Sequence, residues 1–251
     1  PWIQRNHMDS VLQLLEKEKY DKQLGFAETM EWCRKLQEQF DVQAGPKGME
    51  ETIEAYRAAL GLGDDAILRL RYVQALLKHG RAADAVAEAQ PLAEHFAYRR
   101  GVQRWLGNAL KDAGQIDAAI EALRKAVSCY PDDSGAYSQL GAALAVKQDF
   151  DGAIAAYRKA GLLNRQDASV PACMGDVFMR QKNYQEAAQA FRTALKLNPD
   201  IKYSRAQLVR ALVEAGDLDA ARNEAEQCKA AGVDLPKDLA DRLVTVNAVA
   251  P

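Results

Sequence analysis

The chain has 251 residues, 48% of them hydrophobic and 27% charged, the balance of an ordinary folded protein. Lys and Arg total 33 against 35 Asp and Glu, a net charge of −2, so the basic excess of a typical nucleic-acid binder is lacking. No apolar run approaches the ~20 residues that a membrane-spanning helix needs.

The chain opens on Pro1, and the first seven residues, PWIQRNH, carry no apolar core of a signal peptide. His7-Met8 fits a cloning junction, with residues 1–7 as an expression leader. Residues 9–40 read as helical, with Val11, Leu12, Leu14 and Leu15 on one face and Phe26, Met30, Cys33, Leu36 and Phe40 continuing a 3–4 spacing. Residues 41–48, with two glycines and a proline, are a loop. Residues 50–60 form a further helix with Ile53, Tyr56, Ala59 and Leu60 on one side. Residues 1–65 are thus expected to be N-terminal helices. They could be degenerate copies of the repeat that begins at Ala66, without its strict register.

From Ala66 the register is strict. Units begin at Ala66, Arg100, Ser134, Ala168 and Lys202, each 34 residues after the last, and five of them fill residues 66–235. The twentieth position is alanine in every unit: Ala85, Ala119, Ala153, Ala187 and Ala221. The eleventh is Leu76, Leu110, Leu144, Phe178 and Leu212, and the eighth is Val73, Gly107, Gly141, Gly175 and Val209. Small residues at the eighth and twentieth positions let two helices approach closely. Large apolar residues at the seventh, eleventh and twenty-fourth fill the space beside that contact. Gly80, Gly114 and Gly216 fall where a first helix must end and the chain reverse. Pro131 and Pro199 fall between units, where no helix needs to continue. A helical hairpin of this size cannot bury its own apolar face, so neighbours must stack. Pro91 is expected to kink or shorten the second helix of its unit. Residues 236–251 are predicted to be a capping helix and tail. Leu239, Leu243 and Val244 form its apolar stripe, with Lys237, Asp241 and Arg242 facing away.

These columns, turn glycines and closing prolines resemble the tetratricopeptide repeat (TPR) family. The resemblance covers about two thirds of the chain. It implies an all-α, right-handed superhelical solenoid of helix-turn-helix units. The fourth position, usually aromatic in the family, is Arg69, Gln103, Tyr137, Pro171 and Arg205, and only Tyr137 keeps the pattern.

No catalytic constellation is legible. His7, His79 and His95 have no cysteine or carboxylate at metal-ligand spacing, and no glycine-rich loop follows a strand, so neither a metal nor another cofactor is expected. Cys33, Cys129, Cys173 and Cys228 form no CxxC and read as small buried thiols of a reducing, cytoplasmic setting, with a periplasmic or membrane-tethered one as the alternative for a chain trimmed at its N-terminus.

The resemblance implies that first helices line a concave groove that holds a protein or peptide partner. It assigns to that groove Arg104, Trp105, Asn108 and Lys111 in the second strict unit and Gln139 in the third. Asp176, Met179 and Arg180 come from the fourth, and Tyr203 and Arg210 from the last. Arg104 with Asn108 resembles the first part of the carboxylate clamp of chaperone-binding members. Gln139, Ser169 and Cys173 stand where that clamp needs an asparagine and two cations, so it is incomplete. The expected function is a non-catalytic interaction scaffold. Self-assembly through the N-terminal segment, and the repeat portion of a larger enzyme, are the alternatives.

Overall fold

The computed structural model describes Glu50, Ile53, Glu54, Tyr56, Arg57, Leu60 and residues 66–245. The expectations for residues 1–49, including the N-terminal helix and leader, lie outside the described residues, as do the side chains of Ala59 and Val244. The described residues are helices and turns, with no strand among them. The chain divides into two compact units, Pro1–Gly114 and Gln115–Pro251.

The first unit holds α1 (Ala66–Lys78), α2 (Ala82–His95) and α3 (Val102–Asp112). α1 packs on α2, and α3 packs on both. Ile53 and Tyr56, in helical backbone upstream, are buried, and the Tyr56 ring lies 6.0 Å from that of Tyr72. The Tyr72 hydroxyl accepts from Arg57 Nε at 2.8 Å.

The second unit holds α4 (Ile116–Cys129), α5 (Ser134–Val146), α6 (Phe150–Leu163), α7 (Ser169–Arg180) and α8 (Tyr184–Leu197). It continues with α9 (Lys202–Glu214), α10 (Leu218–Ala230) and α11 (Lys237–Thr245). Each of these helices packs on the next, and α5 also meets α7. The second helix of each pair begins at Ala82, Ile116, Phe150, Tyr184 and Leu218, at intervals of 34 residues.

Helix reversals share one geometry. Gly80, Gly114 and Gly216 have φ of 72°, 80° and 80°, the left-handed region that glycine enters without strain. Gln148 and Lys182 occupy the same register position with φ of 68° and 62°. There the backbone keeps the left-handed turn although a side chain disfavours it. The reason is the pair of hydrogen bonds that the turn closes: Asp149 N donates to Leu144 O at 2.9 Å and Gln148 N to Ala145 O at 3.1 Å. Asp149 then caps α6, its carboxylate accepting from Gly152 N at 3.0 Å.

The alanine column is the centre of each helix contact: Ala85, Ala119, Ala153, Ala187 and Ala221 are all 0% exposed. A Cβ at Gly175 would sit 2.7 Å from the Phe191 ring, and one at Gly141 would sit 3.0 Å from the Tyr157 ring. An aromatic ring therefore lies directly on each glycine. Where the eighth position is Val73 or Val209 the twenty-fourth is Ala89 or Ala225, so the bulk sits on the other side of the contact.

Three expectations need correction. Pro91 does not shorten α2, which runs 14 residues, the same length as α4, α6 and α8. Of the described thiols only Cys228 is buried, while Cys129 and Cys173 are half-buried. Arg242 does not merely face away on α11: its guanidinium pairs with Glu214 of α9, while Leu239 and Leu243 bury against α9 and α10.

Candidate binding groove

In the first unit α3 carries the four residues assigned to the groove there. Gly101, in the left-handed region with φ of 87°, is the entry to this helix. A Cβ on Gly101 would lie 3.7 Å from Trp105, so the indole folds back over the helix start. The Arg104 guanidinium lies 5.2 Å from the Trp105 ring centre, a cation–π stack, and both side chains are half-buried. Trp105 is thus neither an exposed anchor nor a fully packed core residue. Asn108 is half-buried, and Lys111 Nζ pairs with its neighbour Asp112 at 3.0 Å.

In the second unit the first helices α5, α7 and α9 bring the remaining residues forward. Tyr203, 52% exposed on α9, donates its hydroxyl hydrogen to Asp176 Oδ1 on α7 at 2.7 Å. Burial pushes the Asp176 carboxyl above the usual carboxylate range, and the hydrogen bond from Tyr203 offsets only part of that. The Tyr203 phenol is pushed up in turn, first by burial and then by the carboxylate it faces, with Arg210 pulling the other way. Beside them Tyr157 reaches from α6 to hydrogen-bond with Cys173, and burial raises that phenol too. Two phenols, a thiol and a carboxylate therefore form one polar floor.

The other assigned residues divide. Arg180 donates from Nη1 to Ala145 O at 2.7 Å and lies 4.9 Å over the Phe150 ring. Its charge sits at the C-terminal end of α5, where the helix dipole favours a cation. It ties two repeats together. Met179 is half-buried against the apolar core of α8–α11. Gln139 on α5 is half-buried, and its side-chain oxygen is buried without a donor. Arg210 is half-buried near the Tyr203 hydroxyl. The structure thus brings Asp176, Tyr203 and Arg210 together and takes Arg180 away to a structural bond.

Sequence reasoning missed Tyr157 as part of this floor. The signal was present: among the twenty-fourth positions, Ala89, Leu123, Tyr157, Phe191 and Ala225, it alone carries a hydroxyl. Among the described residues no group of three His, Cys, Asp or Glu could hold a metal ion. No described helix is long and apolar enough to cross a membrane.

Tetratricopeptide repeat family models match residues 106–167 and 178–237. No curated protein matches the sequence. Among solved structures, a thermophilic TPR protein in Thermus thermophilus aligns with a TM-score of 0.62 at 17% identity, covering 72% of this chain and 97% of its own. MamA, residues 41 to the end, from Desulfovibrio magneticus RS-1 aligns with a TM-score of 0.59 at 19% identity, over 68% and 96%. A further MamA crystal structure gives 0.58 at 20%, over 66% and 91%. Helical hairpins at a 34-residue spacing, an invariant alanine contact and two matching family models agree: residues 106–167 and 178–237 are tetratricopeptide repeats, an all-α repeat architecture of the kind that serves as a protein-interaction scaffold.

Proposed function

We propose that this protein is a non-catalytic scaffold whose first helices hold a segment of a partner protein, and that the face made by α5, α7 and α9 is one such surface. The observation that carries this is the polar floor of Asp176, Tyr203, Cys173 and Tyr157. It gathers hydrogen-bonding groups from three helices, with Tyr203 exposed, Asp176 and Cys173 half-buried and Tyr157 buried behind them. Stability alone gives no reason to desolvate a carboxylate there. Small residues at Gly135, Ser138 and Ala142 on α5 leave room beside it. On α3, Arg104, Trp105, Asn108 and Lys111 are a further candidate surface, read as general peptide contacts.

The test is affinity capture followed by crosslinking with wild type and a Tyr203→Ala/Arg210→Ala variant. The expected outcome is a loss of about tenfold in recovery of the captured partner, from one aromatic contact and one charged hydrogen bond. Recovery equal to wild type, with the melting temperature unchanged, would remove this face from the proposal.

Self-assembly is the second reading. It is favoured by Leu162, 67% exposed on α6, with Leu163 beside it and Leu197 on α8. A concentration-independent monomer mass in light scattering would end it. A particle mass that falls to monomer in a Leu162→Glu/Leu197→Glu variant would establish it.

A further inference from the structure

We infer that Asp176 is a receptor for a cationic side chain, lysine or arginine, presented by the partner segment on the α5–α7–α9 face. This rests on the proposed scaffold function and names the chemistry of its partner.

Asp176 is half-buried, and one of its oxygens accepts from the Tyr203 hydroxyl. No described cation bonds to it. Around it stand the Tyr203 phenol from α9, the Cys173 thiol on its own helix and the Tyr157 phenol from α6, while Arg210 of α9 lies near the Tyr203 hydroxyl without bonding to the carboxylate. A desolvated carboxylate that carries one neutral hydrogen bond is under-compensated, and the remedy that physics favours is a cation.

The chain has a cation at hand and uses it elsewhere. Arg180 is four residues after Asp176 on α7, the spacing at which an acid and a base pair across one helical turn. Instead its guanidinium donates to Ala145 O and stacks on Phe150. Glu214, an acid at the end of α9, is neutralised by Arg242. Glu214, also half-buried, is matched from within the chain, and Asp176 is not.

Charge complementarity therefore selects the occupant. An acidic segment would bring a second carboxylate toward Asp176, with Arg210 lying beside the Tyr203 hydroxyl rather than bonded to that carboxylate. A segment with a lysine or arginine would place the missing charge on the remaining Asp176 oxygen. This is the opposite polarity to a clamp for an acidic tail.

The experiment immobilises the full chain and exposes it to four sets of short acetylated, amidated peptides. The sets are randomised in small and apolar residues around one central position, held as lysine, arginine, norleucine or glutamate. Bound peptide is quantified by mass spectrometry for wild type and Asp176→Asn, whose melting temperatures are compared. The expected result is retention of the lysine and arginine sets about tenfold above norleucine by wild type, the scale of one charged hydrogen bond, with that preference lost in Asp176→Asn. Equal retention of the lysine and norleucine sets by wild type would overturn this inference and leave the scaffold reading standing. A cation preference that survives in Asp176→Asn would overturn the assignment to this residue. Failure to retain any set would overturn both readings for this face.

Discussion

Two glycines of the second unit show how one missing methyl group decides helix contacts. Gly175 lies under Phe191, 2.7 Å from where a Cβ would stand, whereas a Cβ at Gly161 would meet only Val170 Cγ1 at 3.5 Å. Alanine improves the intrinsic helix preference at both by about 1 kcal/mol. At Gly161 nothing opposes that gain, and Gly161→Ala should stabilise by about 0.5–1 kcal/mol. At Gly175 the clash with a rigid ring outweighs it, and Gly175→Ala should destabilise by about 1–3 kcal/mol, less in a Phe191→Leu background. Urea denaturation of these variants checks both signs. Gln148, with φ of 68°, gives a second contrast. Gln148→Gly relieves the left-handed strain and should raise stability by about 0.5–1 kcal/mol. A lower denaturation midpoint would show that the side chain contributes more than its backbone conformation costs.

Asp176 adds a pH dependence at the same scale. Its folded carboxyl is raised above the ordinary carboxylate range by burial. The folded state therefore binds this proton more tightly than the unfolded chain. The contribution is fully present below the unfolded value and is lost as pH rises through the folded value. Between those two values wild type should lose stability relative to Asp176→Asn, and a series of melting curves across mildly acidic pH reads that difference directly.

At the scale of elements, the second helix of each pair is set by one alanine and one large residue. Ala187 on α8 is 0% exposed and belongs to a core with Phe191, Leu208, Val209 and Leu212. Ala187→Leu adds bulk to a site with no space and should destabilise by about 1–3 kcal/mol or more, visible as a fall in melting temperature. Polar arms replace packing where the register loses its aromatic. Arg69 on α1 donates to Glu88 of α2 at 2.7 Å, and Arg205 on α9 donates to Pro199 O at 2.9 Å. Pro91 is tolerated because its neighbours Ala89, Leu92 and Ala93 are buried and hold α2 in place, although the proline removes one backbone donor. Propensity alone predicted a kink or a shorter helix there, and with this packing α2 keeps its 14 residues.

At the scale of the molecule, each unit is held by contacts between successive helices. Stability should therefore be a sum over neighbours rather than one global quantity. Leu239 of α11, 1% exposed, seals the core of α8–α10. Leu239→Ala should raise amide hydrogen exchange in α9–α11 and leave α5 and α6 as protected as in wild type. Equal acceleration throughout the second unit would indicate a single cooperative block. The sequence by itself determined the repeat. A 34-residue spacing, an alanine at each twentieth position and glycines at three reversals are local choices that agree with one another, so helix ends and contact columns could be read directly. The face that would meet a partner was decided only by tertiary structure. Asp176 and Tyr203 are 27 residues apart, and Arg180 reaches 35 residues back to Ala145. Which cation is spent on a carbonyl and which acid is left without one depends on where long side chains fall across neighbouring helices, and register along the chain carries no trace of that.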